Sequence, residues 1–226
     1  QGFSILTWGS GGSNGNYTIS HGLGKKPKFI IQKALDSANW WVYHEDAIGT
    51  TYTKHLQLNS AAATATNSAN FWGASGHTDS LYGVRVGDLI GSSKNAITYL
   101  WCDVPGLQKF GQFTGNSNAD GVFVELGFKP AILLIKNDNS TGDWIIWDNE
   151  RNKFNPVDRQ IWPYTDSGTY GAYDQVGSSY PLDFLSNGFK MRTTDADMNN
   201  SSRTYIYAAW AEAPISNLYG GQSNAR

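Results

Sequence analysis

The chain has 226 residues, enough for one large all-β domain or two units of about 100 residues that each bury a core. An aromatic share of 14%, 25 Gly and only 16% charged residues mark it as globular and rich in strand and turn formers rather than disordered. A net charge of −2 offers no basic face to phosphates and no run of about 18 apolar residues occurs, so neither nucleic-acid binding nor membrane insertion is expected.

The chain starts at Gln1 rather than Met and shows no charged-then-apolar secretion signal, so it is expected to be part of a longer protein, with an N-terminal partner missing. Gly11, Gly12, Asn14 and Gly15 mark an early loop. The stretch GLGKKPKFIIQK (22–33) then opens a strand: Gly24 supplies a turn, and Pro27 stands where a missing N–H does no harm. Its basic run, 25–28, is too short for a polyanion site and reads as an exposed turn. In ANWWVYHED (38–46), alternation puts Trp41 and Tyr43 on one face and Trp40 on the other, which reads as core first. The alanines of 59–70 are interspersed with Thr, Ser and Asn that compete for the backbone, so a loop is expected there rather than a helix. The segment 70–82 interleaves Phe71, Trp72, His77 and Tyr82 with Gly and Ser. AITYLWCDVP (96–105) is another strand, and its Cys102, the single cysteine, reads as a buried thiol.

From here the chain repeats itself. ELGFKPAILLIK (125–136) aligns with 22–33 without a gap, placing Gly127, Pro130 and Lys136 over Gly24, Pro27 and Lys33. After a one-residue slip, GDWIIWDNE (142–150) meets 38–46, with Trp144 over Trp40 and Trp147 over Tyr43. YIYAAWAEAP (205–214) meets 96–105, with Trp210 over Trp101 and Pro214 over Pro105. Between these, FLSNGFKMR (184–192) predicts a hairpin whose two-residue turn is Asn187-Gly188. The pattern predicts an all-β fold, a β-sandwich (jelly-roll or lectin-like) built from two tandem homologous repeats of about 100 residues, 1–104 and 105–226. The connection 103–108 is too short for a flexible linker, so the repeats are expected to be closely packed or one continuous body.

The copies differ most in their middles. Residues 161–181 interleave Trp162, Tyr164, Tyr170, Tyr173 and Tyr180 with Gly, Ser and Asp, and Trp72, His77 and Tyr82 form a thinner version in the first copy. Rings give a rigid apolar platform and the small polar residues adaptable hydrogen bonds, a composition suited to sugar rings with apolar faces and hydroxyl edges. These eight residues are the candidate ligand contacts. The same rings could instead fill the space between sheets or pack on a neighbouring subunit.

Chemistry finds less support. Glycan cleavage needs two carboxylates across a sugar bond, yet Asp143, Asp148 and Glu150, like His44, Glu45 and Asp46, fall where strands turn into solvent. No G-x-S-x-G elbow occurs, His21, His44, His55 and His77 all lie in the first copy, and no phosphate-binding glycine loop opens a helix. Asp195, Asp197 and Asn199 begin like a calcium loop that then fails, with Asn200 at the glycine position and Ile206 at the glutamate position. A non-enzyme without cofactor or metal is expected.

The stretches 109–137, 181–192 and 204–214, with the chain end SNAR, resemble a domain family of tailed-bacteriophage structural proteins found in tail-fibre-like and other virion surface proteins. The resemblance is clearest in the second copy; SHGLGKK in the first copy departs from VELGFK in the second. It implies a β-rich domain displayed on a virion, often near the end of a fibre protein, and a homotrimeric assembly. The partners implied are a host-surface glycan or receptor and other virion subunits. The leading expectation is an adhesion module that binds a glycan without cleaving it. A decorating domain that contacts other virion subunits is the alternative, and a glycan depolymerase comes third.

Overall fold

The computed structural model describes residues 2–67, 71–164, 173–175, 180–212, 215–216 and 222–223, with the backbone alone at 173–175, 215–216 and 222–223. The chain divides into two units, Gln1–Asp103 and Val104–Arg226.

In the first unit, short runs of β-branched and aromatic residues form β1 (Phe3–Gly9), β2 (Gly15–Ser20), β3 (Phe29–Ala34), β4 (Trp40–His44), β5 (Lys54–Gln57), β6 (Ala65–Thr66), β7 (Leu81–Val86) and β8 (Asn95–Trp101). A single helical turn, α1 (Glu45–Ile48), follows β4 and is capped by His44, whose Nδ1 accepts from Asp46 N. Six strands form one antiparallel sheet in the order β1-β8-β3-β4-β5-β6, and β2 pairs with β7 in a second. The alanine-rich stretch forms no helix between 59 and 67, only loop and the two residues of β6. Lys26 and Lys28 of the short basic run are paired with Glu45, and Lys28 also with Asp103.

The second unit comprises β9 (Gln108–Thr114), β10 (Phe123–Glu125), β11 (Pro130–Asn137), β12 (Ile145–Asp148), β13 (Gln160–Trp162), β14 (Tyr173–Gln175), β15 (Leu182–Leu185), β16 (Gly188–Met191), a helical turn α2 (Ala196–Asn199) and β17 (Thr204–Ala211). Two-residue strands β18 (Ile215–Ser216) and β19 (Gln222–Ser223) pair with each other. Its large sheet runs β14-β13-β12-β11-β17-β9, and β10-β16-β15 form a second. The molecule is all-β in several antiparallel sheets.

The two large sheets share one strand order: first strand, last long strand, third, fourth, fifth, sixth. Registers agree as well. Phe29 faces Trp101 as Ile132 faces Trp210, and Ile30 faces Tyr43 as Leu133 faces Trp147. Pro27 lies two residues before Phe29, and Pro130 two before Ile132. Gly24 and Gly127 both take positive φ, 72° and 81°, which a side chain would resist.

The hairpin at 182–191 forms, with its turn one residue earlier than the sequence suggests. Leu185 pairs with Gly188, so Ser186 and Asn187 make the turn and Gly188 begins β16. The glycine serves a close approach instead: a Cβ there would meet Val124 O at 2.0 Å. In this unit the core lies between the two sheets. Leu133, Ile135, Trp147, Tyr205 and Tyr207 on the large sheet meet Val124, Leu182, Phe184, Phe189 and Met191 on the small one. Phe189 packs edge-on against Phe113 and Tyr207.

Candidate functional site

The three candidates of the first unit are core residues. Trp72, His77 and Tyr82 are buried, and the indole N–H of Trp72 donates to Lys54 O at 2.9 Å. His77 stands between the sheets, its ring centroid 4.4 Å from Tyr43 on β4 and 5.4 Å from Tyr82 on β7. Its Nδ1 accepts from Gly83 N at 3.2 Å, and its Nε2 has no hydrogen-bond partner among the described residues. Burial pushes its pKa down to about 3, so the imidazole is neutral at physiological pH. The structure places these three expected ligand contacts in the space between the sheets, the packing role that the same composition also allows. His21 and His44 are structural too. His21 bonds Thr78 O and Leu23 N, and His44 caps α1.

In the second unit the structure brings Trp162 and Tyr180 together, ring centroids 5.8 Å apart and tilted by 37°. Both are half-buried and pack against the inter-sheet core. Trp162 donates to Gln160 Oε1 at 3.0 Å, while the Tyr180 hydroxyl donates to Asp197 Oδ2 at 3.4 Å. Burial, with Asp195 and Asp197 nearby, pushes the Tyr180 phenol well above its ordinary range. Tyr164 is half-buried. Tyr173 begins β14 opposite Trp162, its backbone alone being described, and Tyr170 lies outside the described residues, as does Pro214.

An open pocket of about 240 Å³ lies nearby in sequence, on the segment between β12 and β13. The segment is anchored at several points. Asp148 Oδ1 accepts from Glu150 N and Arg151 N, and Oδ2 pairs with the Arg151 guanidinium. Asn152 Oδ1 accepts from Arg159 N at 2.7 Å. Asn155 grips the edge strand β15 twice, donating to Phe184 O and accepting from Phe184 N, both at 2.9 Å, and Val157 bridges to Leu182. Between these anchors Phe154 stands 85% exposed, more than any other large apolar side chain among the described residues. Lys129, Asn149, Asn152 and Lys153 join it around the pocket, with Val157 and Phe184 below. Lys129 Nζ and Asn149 Nδ2 both reach Glu212 Oε1, at 3.2 and 2.5 Å. The sequence signal of this segment is one ring, Phe154, set among Asn and Lys, against the denser aromatics of 161–181.

Of the carboxylates weighed for catalysis, Asp148 caps a turn, and Glu45 is ion-paired with two lysines that keep its carboxyl below the ordinary range despite partial burial; Asp195, weighed for calcium, caps α2. Asn199 is fully buried and its amide donates to Asn116 Oδ1, Asn118 O and Thr193 O. The calcium-like stretch is thus a capped helical turn, and no cluster of metal-ligating side chains occurs among the described residues.

A family model described as a domain of unknown function, DUF7483, matches residues 1–214. The chain belongs to that family. The match spans both units, so the DUF7483 domain is the pair rather than either alone. No curated protein and no solved structure matches the chain.

Proposed function

We propose that this DUF7483 chain is a non-catalytic adhesion module of a tailed-bacteriophage surface appendage, and that it binds a host-surface glycan through its second unit. The phage setting rests on the sequence resemblance of 109–137, 181–192 and 204–214. We read the two units as tandem copies of one β-sandwich, on the strength of the shared strand order and register.

The observation that carries the glycan reading is Phe154. An exposed ring costs hydration free energy unless a partner covers it, and here it stands over a pocket lined by amides and ammonium groups. A sugar ring presents an apolar C–H face to the phenyl group and hydroxyls to Asn149, Asn152, Lys129 and Lys153. The pocket's volume suits one ring, a chain end or branch, with Trp162 and Tyr180 as further partly open aromatics. The engagement of both Asp148 oxygens in its own turn supports binding without cleavage.

The test is a panel of immobilised bacterial surface polysaccharides, probed with the wild-type chain and with Phe154→Ala. Burying a Phe face is worth about 1.5 kcal/mol or more, so the variant should bind at least about tenfold more weakly. Bound polysaccharide should keep its length. Undiminished binding by Phe154→Ala would remove the pocket from the reading, and released oligosaccharides would make the protein a depolymerase.

A further inference from the structure

Each large sheet ends in two edge strands, and three of these four edges are protected. β6 has two residues and β14 three, too short to template a partner. β9 carries Lys109, whose ammonium is bound to Glu125 O at 2.7 Å, and most of its residues are buried. β1 has none of these devices. Its seven residues, FSILTWG, contain no charge and no proline, and pair with β8 in an unbroken register from Phe3–Trp101 to Gly9–Asn95. No strand lies on its other side among the described residues. Phe3 is 41% and Ile5 53% exposed, and the Phe3 ring continues an aromatic strip with Trp101 and Tyr99, at centroid distances of 4.8 and 6.5 Å.

An open row of backbone N–H and C=O groups accepts a β-strand and little else. The sequence of β1 suits a second copy of itself. Antiparallel pairing about a two-fold axis at Leu6 puts Phe3 opposite Gly9, Ser4 opposite Trp8 and Ile5 opposite Thr7. Large side chains then meet smaller ones on either side of the axis, Leu6 meets its own copy, Phe3 covers a glycine, and no like charges face each other. We propose that β1 is a self-association edge, through which two copies of the chain join their six-stranded sheets into one.

This assignment is independent of the glycan pocket, which lies on the other unit. Sedimentation velocity of the full chain over micromolar concentrations tests it. The wild type should show a concentration-dependent dimer. Ile5→Lys and Thr7→Lys, both at exposed positions, should each weaken dimerisation by at least about tenfold, because a lysine on the edge must be desolvated and faces the partner strand. Ile132→Lys, exposed on β11, should leave it within about twofold. Far-ultraviolet circular dichroism unchanged from wild type confirms that each variant is folded. A wild type that stays monomeric throughout would overturn the proposal, as would β1 lysine variants that dimerise like the wild type.

Discussion

Lys136 and Lys33 hold the same register position, opposite Ile206 and Ile97, yet Lys136 is fully buried while Lys33 remains partly open, its ammonium 5.1 Å over the Trp40 ring. One lysine sits on a face with water beside it. The other is enclosed, donating to Asn137 O, with Asp138, Asp143 and Asp197 near enough to favour its charge.

Desolvation outweighs those carboxylates and lowers the Lys136 pKa to about 8. The unfolded chain keeps the proton to about 10.5, so between these values the unfolded state binds more protons and stability rises with pH. From pH 8 to 9.5 the gain should be about 1.5 kcal/mol. Lys136→Met removes that slope, and urea unfolding of both proteins across the interval measures the difference. Equal slopes would mean that the ammonium reaches water.

His77 carries the opposite pH dependence. It lies between Tyr43 and Tyr82 with a pKa lowered to about 3, so below about 6.5 the unfolded chain takes up a proton that the folded one refuses. Stability is therefore complete above that value and falls as pH drops towards 3, by up to about 1.4 kcal/mol per pH unit. His55, half-buried with its pKa also lowered by burial, adds in the same direction. His77→Phe should be less stable at pH 7, having lost the acceptor for Gly83 N, but should show a shallower loss between pH 6 and 4.5. Thermal unfolding at matched ionic strength measures both.

These two residues also show what the sequence could disclose. The strands, their order of appearance and the equivalence of Gly24 with Gly127 follow from periodicity and turn chemistry, which are local. Whether a ring is core or surface is not local: Trp72, Tyr82 and Tyr180 stand in similar Gly- and Ser-rich company, and only the packing of two sheets buries the first two. Gly188 is similar, since the residue that requires it, Val124, is far away in sequence. Phe154 stayed hidden for the converse reason. Composition finds aromatic clusters, whereas a lone ring becomes notable once Asn155 and Val157 are seen to hold its segment against β15.

Asn199 gives the sharpest test of the second unit's loops. Its amide serves three acceptors on Asn116, Asn118 and Thr193, while its oxygen accepts from Asn116 N at 3.0 Å. Asn199→Ala leaves the buried Thr193 O without its donor, while the partners on the exposed Asn116 and Asn118 regain water, so a loss of about 1–3 kcal/mol is expected. Asn199→Asp keeps the shape but at pH 7 turns a carboxylate oxygen towards three acceptors. It should be more destabilising than alanine at pH 7 and recover relative to alanine near pH 4, where the acid can be protonated and donate. Urea midpoints of the two variants at both pH values decide the matter: if the aspartate variant is as stable as wild type at pH 7, the amide is not the donor that ties these loops together.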